Sequence, residues 1–325
     1  MRIAVTAAAA VLLAAAIACA PALRSTASAP PTPADMAELW QEPADLESRD
    51  LLHGPGGKAG VPSPDVAWRF QSADTTGYSR GYDVTGPDGG EWDVKMGPEA
   101  QTEIVASRLL WAVGYHQPPT YFVTRWRLAG APGVDESVPQ ASARFRPDVP
   151  GMKNTGDWSW YENPFVGTRP YHGLLVLNML MSNWDLKGTN NKLYESVAAG
   201  EAEPRRWFVV RDVGATFGKS RGYFPGTRNN PRDYERQKFI VGVQNARVLF
   251  AYGGRHRGLL EPIGPTDVVW ICERLTRLSD RQWDDAFRAA GYAEAQKMQL
   301  LATIKRHIAH GRALVDAPRV VGEIR

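Results

Sequence analysis

The chain has 325 residues, which at roughly 100–200 residues per domain allows one large domain or two modest ones. Hydrophobic residues make up 43% and charged residues 22%, a globular balance that excludes wholesale disorder and coiled coil, and its 31 Gly and 24 Pro show no three-residue period, which excludes collagen. The net charge of +3, from 38 basic and 35 acidic residues without any Lys/Arg block, argues against a nucleic-acid partner.

The N-terminus reads as an export signal. Met1-Arg2 is a short positive start, and Ile3 to Ala18 is an uncharged, Ala-rich stretch of 16 residues. A bilayer span needs about 20 apolar residues, so the stretch suits the apolar region of a signal better. Two processing sites fit. Ala16-Ile17-Ala18-Cys19 is similar to a relaxed bacterial lipobox, with Cys19 lipidated as the membrane anchor, and Ala27-Ser28-Ala29 is an A-x-A site for ordinary cleavage. Residues 1–29 are therefore expected to be signal. The folded part is expected in a bacterial cell envelope, anchored or secreted. Cys19 and Cys272 are the only cysteines, so loss or lipidation of Cys19 leaves no internal disulfide. Cys272, in an apolar run with Val268, Val269 and Ile271, reads as a buried, inert thiol.

Residues 30–66 belong to an Ala-, Pro-, Gly- and Ser-rich stretch and read as a flexible tether with one short helix near Met36–Trp40. From Trp68 the pattern changes. Tyr82 to Thr85 and Glu91 to Met96 read as strands joined by the turn Gly86-Pro87-Asp88-Gly89-Gly90. Glu99 to Val113 reads as a helix, with Pro98 at its start and Gly114 past its end, and Tyr121 to Trp126 returns to strand. Gly130 to Gly167 reads as loop-rich. Tyr171 to Trp184 is apolar on nearly every face and too long for a strand, which predicts a buried helix. Lys192 to Tyr194 and Trp207 to Val210 read as strands. Ser279-Asp280-Arg281-Gln282 is a capping box for a helix that Gly291 stops, and Met298, Leu301, Ile304 and Ile308 mark an amphipathic closing helix, with His307 and His310 on its polar face. Strands first and helices later predict an α+β fold of two lobes, residues 67–165 and 166–325.

The chemistry-bearing stretch is Asn183-Trp184-Asp185-Leu186-Lys187-Gly188-Thr189-Asn190-Asn191, between the buried helix and a strand. Its D-x-K-x-x-N spacing suits phosphoryl transfer. Asp185 would orient an attacking hydroxyl, Lys187 would meet the transferring phosphate, and Asn190 would lend a neutral oxygen to Mg²⁺. Arg211-Asp212-Val213-Gly214 follows a strand of large apolar residues, and its Asp212 would chelate the same metal. Upstream, Lys95 sits in the strand Val94-Lys95-Met96. Glu99 and Glu103 share a face of the next helix, and either can pair with Lys95; Glu103 is preferred.

These four elements stand in the order of the protein-kinase-like superfamily, and the chain resembles it from about Trp68 to Val315. The segments Trp92–Tyr115 and Gly167–Tyr194 are most similar to its atypical branch, the neighbourhood of HipA, the phosphatidylinositol kinases and the Fam20 kinases. The resemblance implies a two-lobed kinase fold, ATP in the cleft and Mg²⁺ on Asn190 and Asp212. Departures are plain. No G-x-G-x-x-G precedes Lys95, leaving Thr75 to Gly81, with Gly77 and Gly81, to cover the phosphates. No A-P-E follows Asp212, and Trp184 stands before Asp185. Gly218-Lys219-Ser220-Arg221-Gly222 fits a hydrolase elbow only as a pattern, because Pro225-Gly226 follows where a helix is required. The expectation is an exported kinase-like phosphotransferase acting on a hydroxyl of a protein, glycan or lipid headgroup. The alternatives are a non-catalytic kinase-fold binding module and nucleotidyl transfer from the same residues.

Overall fold

A computed structural model describes residues 21–75, 77–196, 204–220 and 225–315. Cys19 and the apolar stretch Ile3 to Ala18, expected to be an export signal, lie outside the described residues, as do Thr76 of the expected phosphate-covering loop and Arg221 to Phe224.

The described chain opens with β1 (Arg24–Ser25) and α1 (Pro33–Met36). Next come β2 (Ala67–Asp74), β3 (Gly81–Thr85), β4 (Glu91–Met96), α2 (Glu99–Ala112), β5 (Tyr121–Val123), β6 (Arg127–Ala129) and β7 (Ala143–Pro147). Strands β2 to β7 form one sheet in the order β5-β7-β4-β3-β2-β6. Its pleat separates two chemistries. Val94 faces Phe145 across β4 and β7, and with Trp68, Val84 and Trp126 they make an apolar core. On the other face the register sets Asp93 against Arg146 and Lys95 against Arg144, and α2 covers these charges.

The second half contains β8 (Met152–Asp157), β9 (Glu162–Asn163), α3 (Arg169–Leu180), β10 (Asn191–Ser196), β11 (Arg206–Val210), α4 (Pro231–Arg236), β12 (Ile240–Gln244), β13 (Arg247–Phe250), α5 (Pro265–Thr276), α6 (Asp280–Arg288) and α7 (Glu294–Arg312). A small sheet, β11-β10-β8, leads into the stretch that carries Asp212, and the helices enclose the larger core. The fold is α+β, a strand-rich lobe followed by a helical one, as the sequence predicts. Helix α3 is buried from Tyr171 to Leu180 and ends four residues before Trp184, where Ser182 turns left-handed at φ 57°.

Four expectations are corrected. Residues 30–66 are no flexible tether: Leu39, Leu46 and Leu51 are fully buried, Trp40 Nε1 donates to Val113 O at 2.7 Å, and Gln282 Nε2 donates to Leu46 O at 2.8 Å. Buried Arg108 of α2 fastens the same stretch by donating to Leu51 O at 3.1 Å and His53 O at 3.0 Å. Three spaced leucines find cores although the composition around them is that of a linker. The stretch 130–167 holds β7, β8 and β9. Arg144-Phe145-Arg146 alternates, but its polar face is buried by ion pairs rather than apolar contact, which hides the strand from a hydrophobic pattern. On α7 the core stripe runs through Leu300, Ile304 and Ile308, and Met298 is exposed. His307 is buried, with Nδ1 at 3.3 Å from Leu180 O and Nε2 at 3.1 Å from Gln237 O, so it does not belong to a polar face.

Candidate functional site

Lys95 is the hub. It stands on β4, whose pleat aims it at α2, and its Nζ lies 3.3 Å from Glu103 Oε2 and 3.5 Å from Glu99 Oε2. It also contacts Asp212 Oδ1. The helix thus supplies two carboxylates one turn apart, as its spacing predicts, and both reach the lysine. Lys95 and Arg144 face each other directly across the sheet, a repulsive arrangement on its own. Glu103 resolves it: Arg144 Nε and Arg146 Nη1 each lie 3.0 Å from its Oε1. Burial raises the Glu103 carboxyl pKa, but Arg144 and Lys95 outweigh it and hold the group ionised below its ordinary value. Burial works against a charged Lys95 in the same way, and Glu103 and Asp212 more than restore it.

Asp212 follows β11 and takes a left-handed backbone, φ 55°, which Asp tolerates better than most residues. Its neighbour Arg211 donates its backbone N–H to Asn190 O at 2.7 Å, and Trp184 N donates to Ala215 O at 3.4 Å. These bonds run the D-x-K-x-x-N loop alongside the Asp212 stretch. Burial raises the Asp212 pKa, and Lys95, with Arg146 and Arg144 behind it, turns the balance downward.

Asn190 donates its Nδ2 to Asp185 O at 3.0 Å. A carbonyl can only accept, so the amide nitrogen faces the loop and the amide oxygen is the end turned elsewhere. Asp185 is held at its backbone by Asn183 Oδ1 at 3.1 Å. Its Oδ2 pairs with Lys187 Nζ at 2.8 Å, while Oδ1 is buried with no hydrogen-bond partner and only Arg255 Nε at 3.5 Å. Lys187 is thus beside Asp185 and half-exposed.

The two glycines expected to cover the phosphates, Gly77 and Gly81, fare differently. Gly81 starts β3 directly opposite Lys95, and a Cβ there would come within 3.2 Å of Val94 O, so the strand backbones approach closely at this point. A Cβ on Gly77 would meet only the Ser79 backbone, at ordinary van der Waals distance. The loop contributes Ser79 instead, whose Oγ donates to Glu99 Oε2 at 3.0 Å.

Sequence reasoning missed Asp93, Arg144, Arg146, Arg211, Arg228 and Arg255. The period-two spacing of Arg144 and Arg146 was the available signal. Asp93 takes Arg144 Nη1 at 3.0 Å, Arg146, and Arg211 Nη2 at 3.4 Å. A wide groove of about 650 Å³ lies elsewhere, over Trp40, His172, Asp267 and Trp270. Its His172–Asp267 pair, 2.9 Å, fastens the start of α3 to the start of α5, and Asp267 also accepts from Gly264 N.

The oxygen set fits Mg²⁺. Asp212 supplies a carboxylate and Asn190 the amide oxygen at the other end from its bonded Nδ2, both hard donors. Among the described residues no group of three or more His, Cys, Asp or Glu could hold a metal. A Mg²⁺ that shares substrate phosphates and keeps waters needs only one or two protein carboxylates.

No family model matches the chain, and no curated protein matches it. Among solved structures, the proinflammatory kinase CtkA of Helicobacter pylori is similar, at 10% identity and a TM-score of 0.47, over 78% of this chain and 99% of that one. At that distance the chain's own contacts carry the reading. Those contacts join a strand lysine to a helix glutamate and to the aspartate after β11, with the Asp185–Asn190 loop bonded alongside.

Proposed function

We propose that this protein is an exported phosphotransferase that uses ATP and Mg²⁺ to phosphorylate a hydroxyl acceptor. The observation that carries the reading is Lys95, drawn between Glu103 of α2 and Asp212, which supports a lysine held toward nucleotide phosphates beside a metal-binding carboxylate. Bound Mg²⁺ would supply charge neutralisation to the transferring phosphate. The protein's part is positional. Glu103 holds Lys95 charged and aimed; Asn190 and Asp212 offer the oxygens; Asp185, with a buried and unbonded Oδ1, takes the acceptor's hydroxyl hydrogen bond and orients its attack. Lys187 stands beside that oxygen pair to meet developing charge. Attachment to the envelope through Cys19 belongs to the same proposal and rests on the N-terminal pattern alone.

Two variants separate the roles. Asp212→Ala should weaken Mg²⁺-dependent ATP binding as well as turnover. Asp185→Asn keeps its shape and loses its charge, so ATP binding should survive while transfer falls by about 10²-fold or more, since the lost interaction acts in the transition state. Thermal shift with ATP, with and without Mg²⁺, and ATP consumption measure both. A wild-type chain that binds Mg²⁺-ATP but yields no transfer to any acceptor, with Asp185→Asn unchanged, would make the protein a binding module instead.

A further inference from the structure

Arg228 belongs to none of the motifs above. Its side chain is 11% exposed, and three separate parts of the chain close around it. The guanidinium pairs with Glu99 Oε1, lies 3.8 Å from the ring centroid of Tyr78 and 4.8 Å from that of Trp184. Tyr78 comes from the loop between β2 and β3, Glu99 from the first turn of α2, and Trp184 directly precedes Asp185. The other Glu99 oxygen is 3.5 Å from Lys95 and accepts from Ser79. Arg228 and Lys95 therefore share one carboxylate, and the guanidinium stands between the covering loop and the acceptor side of the site.

The charge balance points the same way. Among the described residues, Lys95, Arg144, Arg146, Arg211 and Arg228 pair with only four carboxylates, those of Asp93, Glu99, Glu103 and Asp212. Partly buried clusters with a surplus of one sign are costly unless a counter-charge completes them. Here the surplus is positive, so the completing partner is an anion. Tyr78, the outer wall, is 71% exposed, which leaves a way in from solvent. The backbone around Arg228 is fixed: Trp184 Nε1 donates to Thr227 O at 3.1 Å, and Asn229 joins Gln101 at 3.1 Å and Tyr292 at 2.6 Å. Only the side chain needs to move.

Resting on the phosphotransferase reading, we infer that Arg228 binds the terminal phosphate of the nucleotide, exchanging Glu99 for it. A planar guanidinium stacked on aromatic faces suits a phosphate where a lysine would not, because its fork offers two parallel donors.

The test compares Mg²⁺-ATP with Mg²⁺-ADP on the full chain by calorimetry and thermal shift. Wild type should prefer ATP. Arg228→Ala should lower ATP affinity about tenfold or more while ADP affinity stays within about twofold, and Arg228→Lys should fall between, since one charge-assisted hydrogen bond is worth that much. Equal losses for both nucleotides, or a lower melting temperature of the free protein with binding unchanged, would make Arg228 a strut and overturn the inference. If Arg228→Ala does not fold, the ATP-to-ADP ratio of Arg228→Lys decides by the same criterion. Wild type that binds neither nucleotide overturns the phosphotransferase reading itself, and Arg228 falls with it.

Discussion

At the scale of the residue, His307 shows two demands that conflict. Both ring nitrogens face backbone carbonyls, which favours the imidazolium, since a neutral ring can donate only once. Burial opposes the charge and outweighs those carbonyls, bringing the pKa down to about 4. Well above a pH of about 6.5 neither folded nor unfolded chain is protonated there, and His307 contributes no pH dependence. Between about 6.5 and 4 the unfolded chain takes up a proton that the folded one refuses. Stability should therefore fall with pH through that window, by about 1.4 kcal/mol per pH unit at its steepest. Urea unfolding of wild type and His307→Gln at pH 7 and pH 5 measures it. The variant should lose less stability between the two pH values, and equal losses would deny His307 this role.

At the scale of the element, α5 is gripped from two sides by glycines. A Cβ on Gly173 of α3 would fall 2.4 Å from the Trp270 ring, and one on Gly311 of α7 would fall 2.6 Å from Cys272 Sγ and 3.0 Å from Val268 Cγ1. Inside a helix Gly costs about 1 kcal/mol relative to Ala, so the close approach is what these positions gain. Gly311→Ala should thus destabilise, not stabilise. Overpacking costs about 1–3 kcal/mol, which exceeds the propensity gain across most of its range. Chemical denaturation gives the sign. The Cys272 thiol, buried and pushed up to about 12 by burial, should then react faster with a thiol reagent in the variant as the α5–α7 contact loosens. Helices of this kind were legible in the sequence. Ser279 and Gln282 exchange the capping bonds that their spacing announces, at 3.0 and 3.3 Å, and Glu99 to Ala112 begins where Pro98 places it. Strands were legible where Val84 and Val94 alternate with polar neighbours. Arg144 and Arg146 were not, because their burial depends on Glu103 and Asp93, which are remote in sequence and close only in the fold.

At the scale of the whole molecule, Lys95, Glu103, Asp185, Asn190 and Asp212 could be named from motif order, since each motif places its residue on an element of the right kind. The cationic surround and the N-terminal strap could not. Linker composition concealed Leu39, Leu46 and Leu51, whose cores are built from α2 and the helical lobe. The strap bears on where the protein lives. If the lipobox is real, Cys19→Ser should release the chain from the membrane fraction while export of a reporter fused to residues 1–35 persists. Unchanged fractionation would exclude a lipid on Cys19 as the anchor.

The strap also sets a working distance. Arg24 and Ser25 pair with Glu162 and Asn163, and Arg24 stands five residues after Cys19 in the chain. Five extended residues span at most about 18 Å. A lipid on Cys19 would thus moor the body within one small-domain radius of the bilayer, with no leash to let it roam. Diffusion would be two-dimensional, and any acceptor would have to come to the membrane surface to be met.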